Sequence, residues 1–205
     1  MIYLAALLAL GTVPSDAQEP GAAMALQPAP DSAERRRALR ELVMCVARVR
    51  PRWARQTLAH PYLSEAQAGA AAEALSGRDS CLQEDTDMTF RTSTLVGSAA
   101  EHFIQSQADQ SSFARMAKAL NTATPLNASE DFALCVAARN PIAARDLALS
   151  EPGSPVETRS AGQLADHVQP CTRPGENLTV DLQSLRALMG TALYRAMVPT
   201  LAARN

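Results

Sequence analysis

Four cysteines, at positions 45, 81, 135 and 171, constrain this chain more than any other feature because they form two equally spaced pairs. Cys45 and Cys81 are 36 residues apart, as are Cys135 and Cys171, and an offset of 90 residues carries one pair onto the other. In the same gapless register Cys45-Val46-Ala47 matches Cys135-Val136-Ala137, Pro51 matches Pro141, Ala54-Arg55 matches Ala144-Arg145, and Ser64 matches Ser154. Beyond the second cysteine, three extra residues bring Leu95-Val96-Gly97-Ser98-Ala99 against Leu188-Met189-Gly190-Thr191-Ala192. A long period present twice reads as a tandem duplication of one unit rather than a solenoid.

The matched segments carry helix signals. Leu39, Leu42, Val43 and Val46 recur at helical spacing after Asp31-Ser32, and Phe132, Leu134, Cys135 and Val136 follow Asn127-Ala128-Ser129, so each run has N-cap candidates before it. Pro51 and Pro141 stop that helix and fit the first turn of the next, where the missing N–H costs nothing. Ser64-Glu65-Ala66-Gln67 and Ser154-Pro155-Val156-Glu157 fit capping boxes, launching helices over about 64–76 and 154–168. A Gly-, Asp- or Pro-bearing turn is then expected before each second cysteine.

Leu182, Leu185, Leu188, Met189, Ala192, Leu193, Ala196 and Met197 form one apolar stripe, whereas the partner segment around Thr92–Gln105 is shorter and weaker. Gly97 and Gly190 sit inside these helices at a cost of about 1 kcal/mol each against alanine, so their recurrence points to close helix approach. Aromatic residues are only 4% of a chain that is 47% hydrophobic, leaving the core to Ala, Leu, Val and Met; no alternating β-branched run argues for a sheet. The fold class is all-α, about four helices per copy.

An apolar run from Met1 to Leu10 is too short to span a bilayer, and Ser15-Asp16-Ala17 supplies a small-x-small cleavage site before Gln18. The expected organisation is a signal peptide at 1–17, a flexible tether at 18–30, a first helical repeat at 31–105, and a connection with a short helix (Ser112 to Leu120) at 106–126. A second repeat at 127–199 and a tail at 200–205 follow. Export favours disulfides, and cysteines 36 residues apart lack the close pairs of structural zinc sites. Pairing Cys45 with Cys81 and Cys135 with Cys171 makes each copy self-sufficient; Cys45 with Cys135 and Cys81 with Cys171 would also respect the repeat.

Catalytic signals are missing. His60, His102 and His167 face Ser150, Arg195 and Gly77 in the other copy, no nucleophile elbow or phosphate loop occurs, and Glu84-Asp85-Thr86-Asp87 lacks the ligand spacing of a calcium loop. No catalytic, cofactor-binding or metal-binding residue is assigned, and no cofactor is expected. Arg55 and Arg145 are the recurrent charged pair, suited to an anion or to structural pairing within each copy. Arg35-Arg36-Arg37 and Arg40, set among Glu34 and Glu41, read as a solvated helix face. A net charge of −2 supplies no field for nucleic acid, and Lys118 as the only lysine beside 18 arginines reads as GC-rich bacterial coding.

Through Cys45-Val46-Ala47-Arg48, Pro51 and Ala54-Arg55, and again Cys135-Val136-Ala137, Pro141 and Ala144-Arg145, the chain resembles a group of uncharacterised predicted secreted proteins of alphaproteobacteria over most of 40–104 and 130–198. The resemblance implies export and a repeated helical cystine unit, and brings no activity, ligand or catalytic residue. The expected function is a periplasmic or secreted protein- or peptide-binding or structural module, with another envelope protein or a peptide as partner and no transmembrane anchor in the mature chain. The alternatives are an envelope enzyme with a site between the repeats, using Glu101, His102 or Arg145, and an inhibitor or immunity-type protein. Binding and inhibition require an apolar surface patch, catalysis a pocket with convergent acids and histidine.

Overall fold

The computed structural model describes residues 32–75, 81, 91–107, 109–173 and 178–202; the expected leader 1–17 and tether 18–30 lie outside them. Nine helices and no strand ladder are present among the described residues. The first half runs through α1 (Ala33–Val49), α2 (Pro51–Ala59), α3 (Glu65–Leu75) and α4 (Thr92–Gln105), and α5 (Gln110–Ala119) leads into the second. There α6 (Ala128–Arg139), α7 (Pro141–Leu149), α8 (Pro155–Cys171) and α9 (Leu182–Ala202) follow.

Local chemistry sets these boundaries. The Ser32 and Asn127 side chains accept from backbone N–H groups three residues on, capping α1 and α6, while Pro51 and Pro141 open α2 and α7. Ser64 accepts from Gln67 N–H and Ser154 from Glu157 N–H, both at 3.2 Å, completing the serine side of the two capping boxes. The Gln67 and Glu157 side chains reach back to the N–H groups of Leu63 and Gly153, at 2.7 and 2.6 Å. Leu63 and Gly153 are the only residues with positive φ among those described, at +58° and +81°.

Cys45 is bonded to Cys81 and Cys135 to Cys171, so each cystine closes within its own half. One expectation fails at the second. No turn precedes Cys171, because α8 continues through Pro170 to that cysteine and ends when Thr172 hydroxyl and N–H bond the carbonyls of Val168 and Gln169. With Val168 drawn into the core and no glycine between Ala165 and Pro170, nothing interrupts the helix earlier. The corresponding turn of the first half falls largely outside the described residues.

The core is continuous across the halves, and its centre is the crossing of α4 and α9. A Cβ on Gly97 would lie 2.8 Å from Ala187 Cα, and Gly190 faces Gly97 and Ala100, so the two glycines let the helices approach at this spot. The segment expected to be the weaker helix is thus half of the central pair. α4 buries Leu95, Val96, Ala99, Ala100, Phe103 and Ile104 together with Ser93, Thr94, Ser98 and Glu101. A helix enclosed on most of its circumference needs no single apolar stripe.

Candidate binding cleft and the charged seam

The halves meet along a seam with a corner of the chain at each end. At one end lies the 150–154 turn between α7 and α8, where Ala33 at the start of α1 presses on Gly153: a Cβ there would sit 2.5 Å from that of Ala33. Arg36 Nη1 and Nη2 donate to Glu157 Oε1 and Oε2 at 2.6 and 3.1 Å. Arg40 donates to Glu101 at 2.5 Å and to Glu151 at 2.8 Å. Arg186 on α9 closes the circuit, reaching Glu101 at 3.2 Å, Glu157 at 3.5 Å and the Ser150 hydroxyl at 3.1 Å. Arg40's own hydrogen bond with Glu101 holds its guanidinium above its ordinary pKa.

This overturns the reading of a solvated face for Arg36 and Arg40, since Arg36 is 7% exposed, Arg40 is half-buried and their partners Glu101 and Glu157 are buried, whereas Arg35 and Arg37 are exposed as expected. Charges taken this far from water require partners in good geometry. Each buried carboxylate is gripped by two guanidinium groups. The space left between Arg36, Arg40, Gly97 and Arg186 is about 20 Å³, room for roughly one water.

At the other end lies the 60–63 turn between α2 and α3. Buried Glu130, on α6, accepts from the N–H groups of Tyr62 and Leu126, each at 2.9 Å, and pairs with Arg195 of α9 at 2.8 Å. Arg195 also donates to the His60 carbonyl at 2.8 Å, and Asn127 Nδ2 to the Tyr62 carbonyl at 2.8 Å. Among the described residues this end stays open. A cleft of about 290 Å³ lies between Tyr62 and Leu63, the start of α6, the end of α8 and the segment running into α9.

Phe132, Leu178, Val180 and Leu188 supply apolar wall to this cleft, and Ser129, Asp131, Thr179, Asp181 and Arg173 supply polar groups. Asp181 is engaged by Ser184 N–H at 2.8 Å and hydroxyl at 3.1 Å, and more loosely by Arg91 at 3.5 Å. Asp131 and Arg173 form no ion pair among the described residues. The Tyr62 hydroxyl is buried without a hydrogen-bond partner among the described residues, and burial, with the nearby Asp181 carboxylate, pushes its pKa far up, so it is a neutral phenol.

The residues singled out from sequence are brought together only in part. Arg55 stacks over the Phe103 ring at 5.6 Å, and Arg145 over Phe113 at 4.3 Å while pairing with its neighbour Asp146 at 3.0 Å, so both have partners inside the fold. Glu101 and His102 do not converge: both Glu101 oxygens are taken by Arg40 and Arg186, and His102 packs edge-on against Phe103. Partial burial, and secondarily Arg48, lower the His102 pKa. No histidine lines the cleft, and among the described residues no cluster of His, Cys, Asp or Glu is arranged to hold a metal ion.

Sequence reasoning missed the cleft residues Tyr62, Leu63, Asp131 and Arg173. The one available signal was Leu63 standing at the offset of Gly153. The chain matches no family model, no curated protein and no solved structure. No described helix is long and apolar enough to cross a membrane.

Proposed function

We propose that this chain is an exported, duplicated helical binding protein that takes a short peptide, free or presented by an envelope partner, in the cleft at the open end of the seam. The cleft carries the reading: about 290 Å³, near the lower end of the range for ligand sites, with an apolar wall and several polar groups. Binding is favoured over catalysis because the acid and histidine named for an enzyme lie elsewhere and Glu101 is already saturated by arginine. Duplication is supported by the shared helix starts at Pro51 and Pro141, the two within-half cystines and the paired positive-φ corners. Two cystines fit an oxidising compartment, in keeping with a periplasmic or secreted location.

The reading is tested by amide NMR of the full chain during titration with a mixture of di- to tetrapeptides. Shifts confined to Tyr62, Ser129, Asp131, Leu178 and Ser184 are expected, and abolished by Ser129→Trp. Shifts absent at millimolar peptide, or located elsewhere, would remove the cleft as a peptide site.

A further inference from the structure

Resting on that reading, we infer that Leu63 is the specificity residue of the cleft and that the occupant is a short zwitterionic peptide with a bulky aliphatic side chain. Leu63 is the only non-glycine residue with positive φ among those described, at +58°. That conformation costs an ordinary L-residue roughly 1–2 kcal/mol. The equivalent corner of the other half uses Gly153, so the fold has a strain-free solution that this half departs from. Leucine at 63 does not serve the core, because it is 53% exposed. Its side chain lines the cleft instead.

The corner is held from beneath. Gln67 is buried and accepts from Leu63 N–H at 2.7 Å, while its amide donates to the carbonyls of Thr57 and His60 at 3.2 and 3.4 Å. Surroundings that fix the backbone so firmly are what allow a strained residue to persist at a functional place. A large apolar side chain kept at this cost, half in water and lining the same cleft as Phe132 and Leu178, calls for an apolar group to cover it.

The charges narrow the occupant further. Arg173 and Asp131 are exposed on the cleft lining and form no ion pair among the described residues, so one cation and one anion stand open. A ligand carrying a carboxylate and an ammonium group complements both, and a free peptide has the two at its termini. An apolar anion alone, such as a fatty acid, would leave Asp131 facing its tail, and a lone apolar amine would leave Arg173 unmatched.

Isothermal titration of the full chain with leucyl-leucine, alanyl-alanine, N-acetyl-leucyl-leucine and leucyl-leucine amide tests this. Leucyl-leucine is expected to bind at least about tenfold more tightly than alanyl-alanine, a difference of about 1.4 kcal/mol, and each blocked analogue to lose about as much. Leu63→Gly should raise the melting temperature yet collapse the preference for leucyl-leucine; Leu63→Ala, which keeps the strained backbone, should collapse it without that rise. Arg173→Gln should remove the loss caused by amidation, and Asp131→Asn the loss caused by acetylation. An unchanged leucine-to-alanine ratio in both Leu63 variants would overturn the role of Leu63 while leaving the cleft a peptide site. Equal binding of blocked and free peptides would overturn the zwitterion. Failure of every peptide to bind would overturn the binding reading as well.

Discussion

The two ends of the seam are built to one plan and finished differently. At each, a turn between the second and third helices of one half rests on the first helix of the other and on α9, and a buried glutamate sits in an arginine grip. Glu130 stands 90 residues after Arg40, so the sign of the charge on that first helix is reversed between the ends. The end at Gly153 has three arginines, three glutamates and almost no space; the end at Leu63 has one buried pair and a cleft. The difference teaches that the charged groups of one end are spent on holding the halves together, whereas the other end keeps the cleft in which we propose a peptide sits.

The largest expected effect tests that division directly. Glu157→Ala strands two guanidinium groups, Arg36 and Arg186, along with Gly153 N–H, and urea unfolding should show a loss of about 3–5 kcal/mol, with Glu130→Ala, which strands one guanidinium, Arg195, along with the N–H groups of Tyr62 and Leu126, at the lower end of that range. Equal losses would mean that the number of paired guanidinium groups is not what distinguishes the ends. Next, replacing Cys135 and Cys171 together by serine should cost about 4 kcal/mol for a loop of this length, and the first-half pair a similar amount. A much smaller loss from either pair would show that the two cystines constrain their halves unequally.

Gly97→Ala should then cost roughly 1–3 kcal/mol, because its new methyl meets α9 backbone. Gly190→Ala should be near neutral, since its closest contact is 3.3 Å and helix propensity improves by about 1 kcal/mol. Thermal melts of the pair would show whether the crossing is tight from both sides. The smallest effect concerns His102, whose folded pKa lies below the ordinary 6.5. Its contribution to stability is present above that ordinary value and lost as pH falls through the depressed one, so unfolding measured between pH 7.5 and 5 should show a shallower pH dependence in His102→Gln.

Most of what is local or periodic was legible in the sequence, the turn expected before Cys171 excepted. Capping serines, helix-opening prolines and the two glycines each announce their role within a few residues or by recurring once. Arg36 and Arg40 were misread because their partners lie 121 and 61 residues away, and an arginine beside glutamates looks the same whether it faces water or a buried carboxylate. α4 was underrated because enclosure on most sides erases the stripe that marks a surface helix. The cleft was illegible because two of its walls come from different halves, and only packing brings Leu63 and Phe132 to one cleft.

The crossing of α4 and α9 bears on how the protein is made. Synthesis proceeds from the amino end, so α4 leaves the ribosome long before the helix against which Gly97 and Ala100 pack. A nascent chain lacking residues beyond 181 has its central surface uncovered, and the first half cannot complete its core alone. Closure of the core is therefore postponed until α9 has been made, so the order of synthesis and the order of folding run apart: the first helices made are among the last to find their cover.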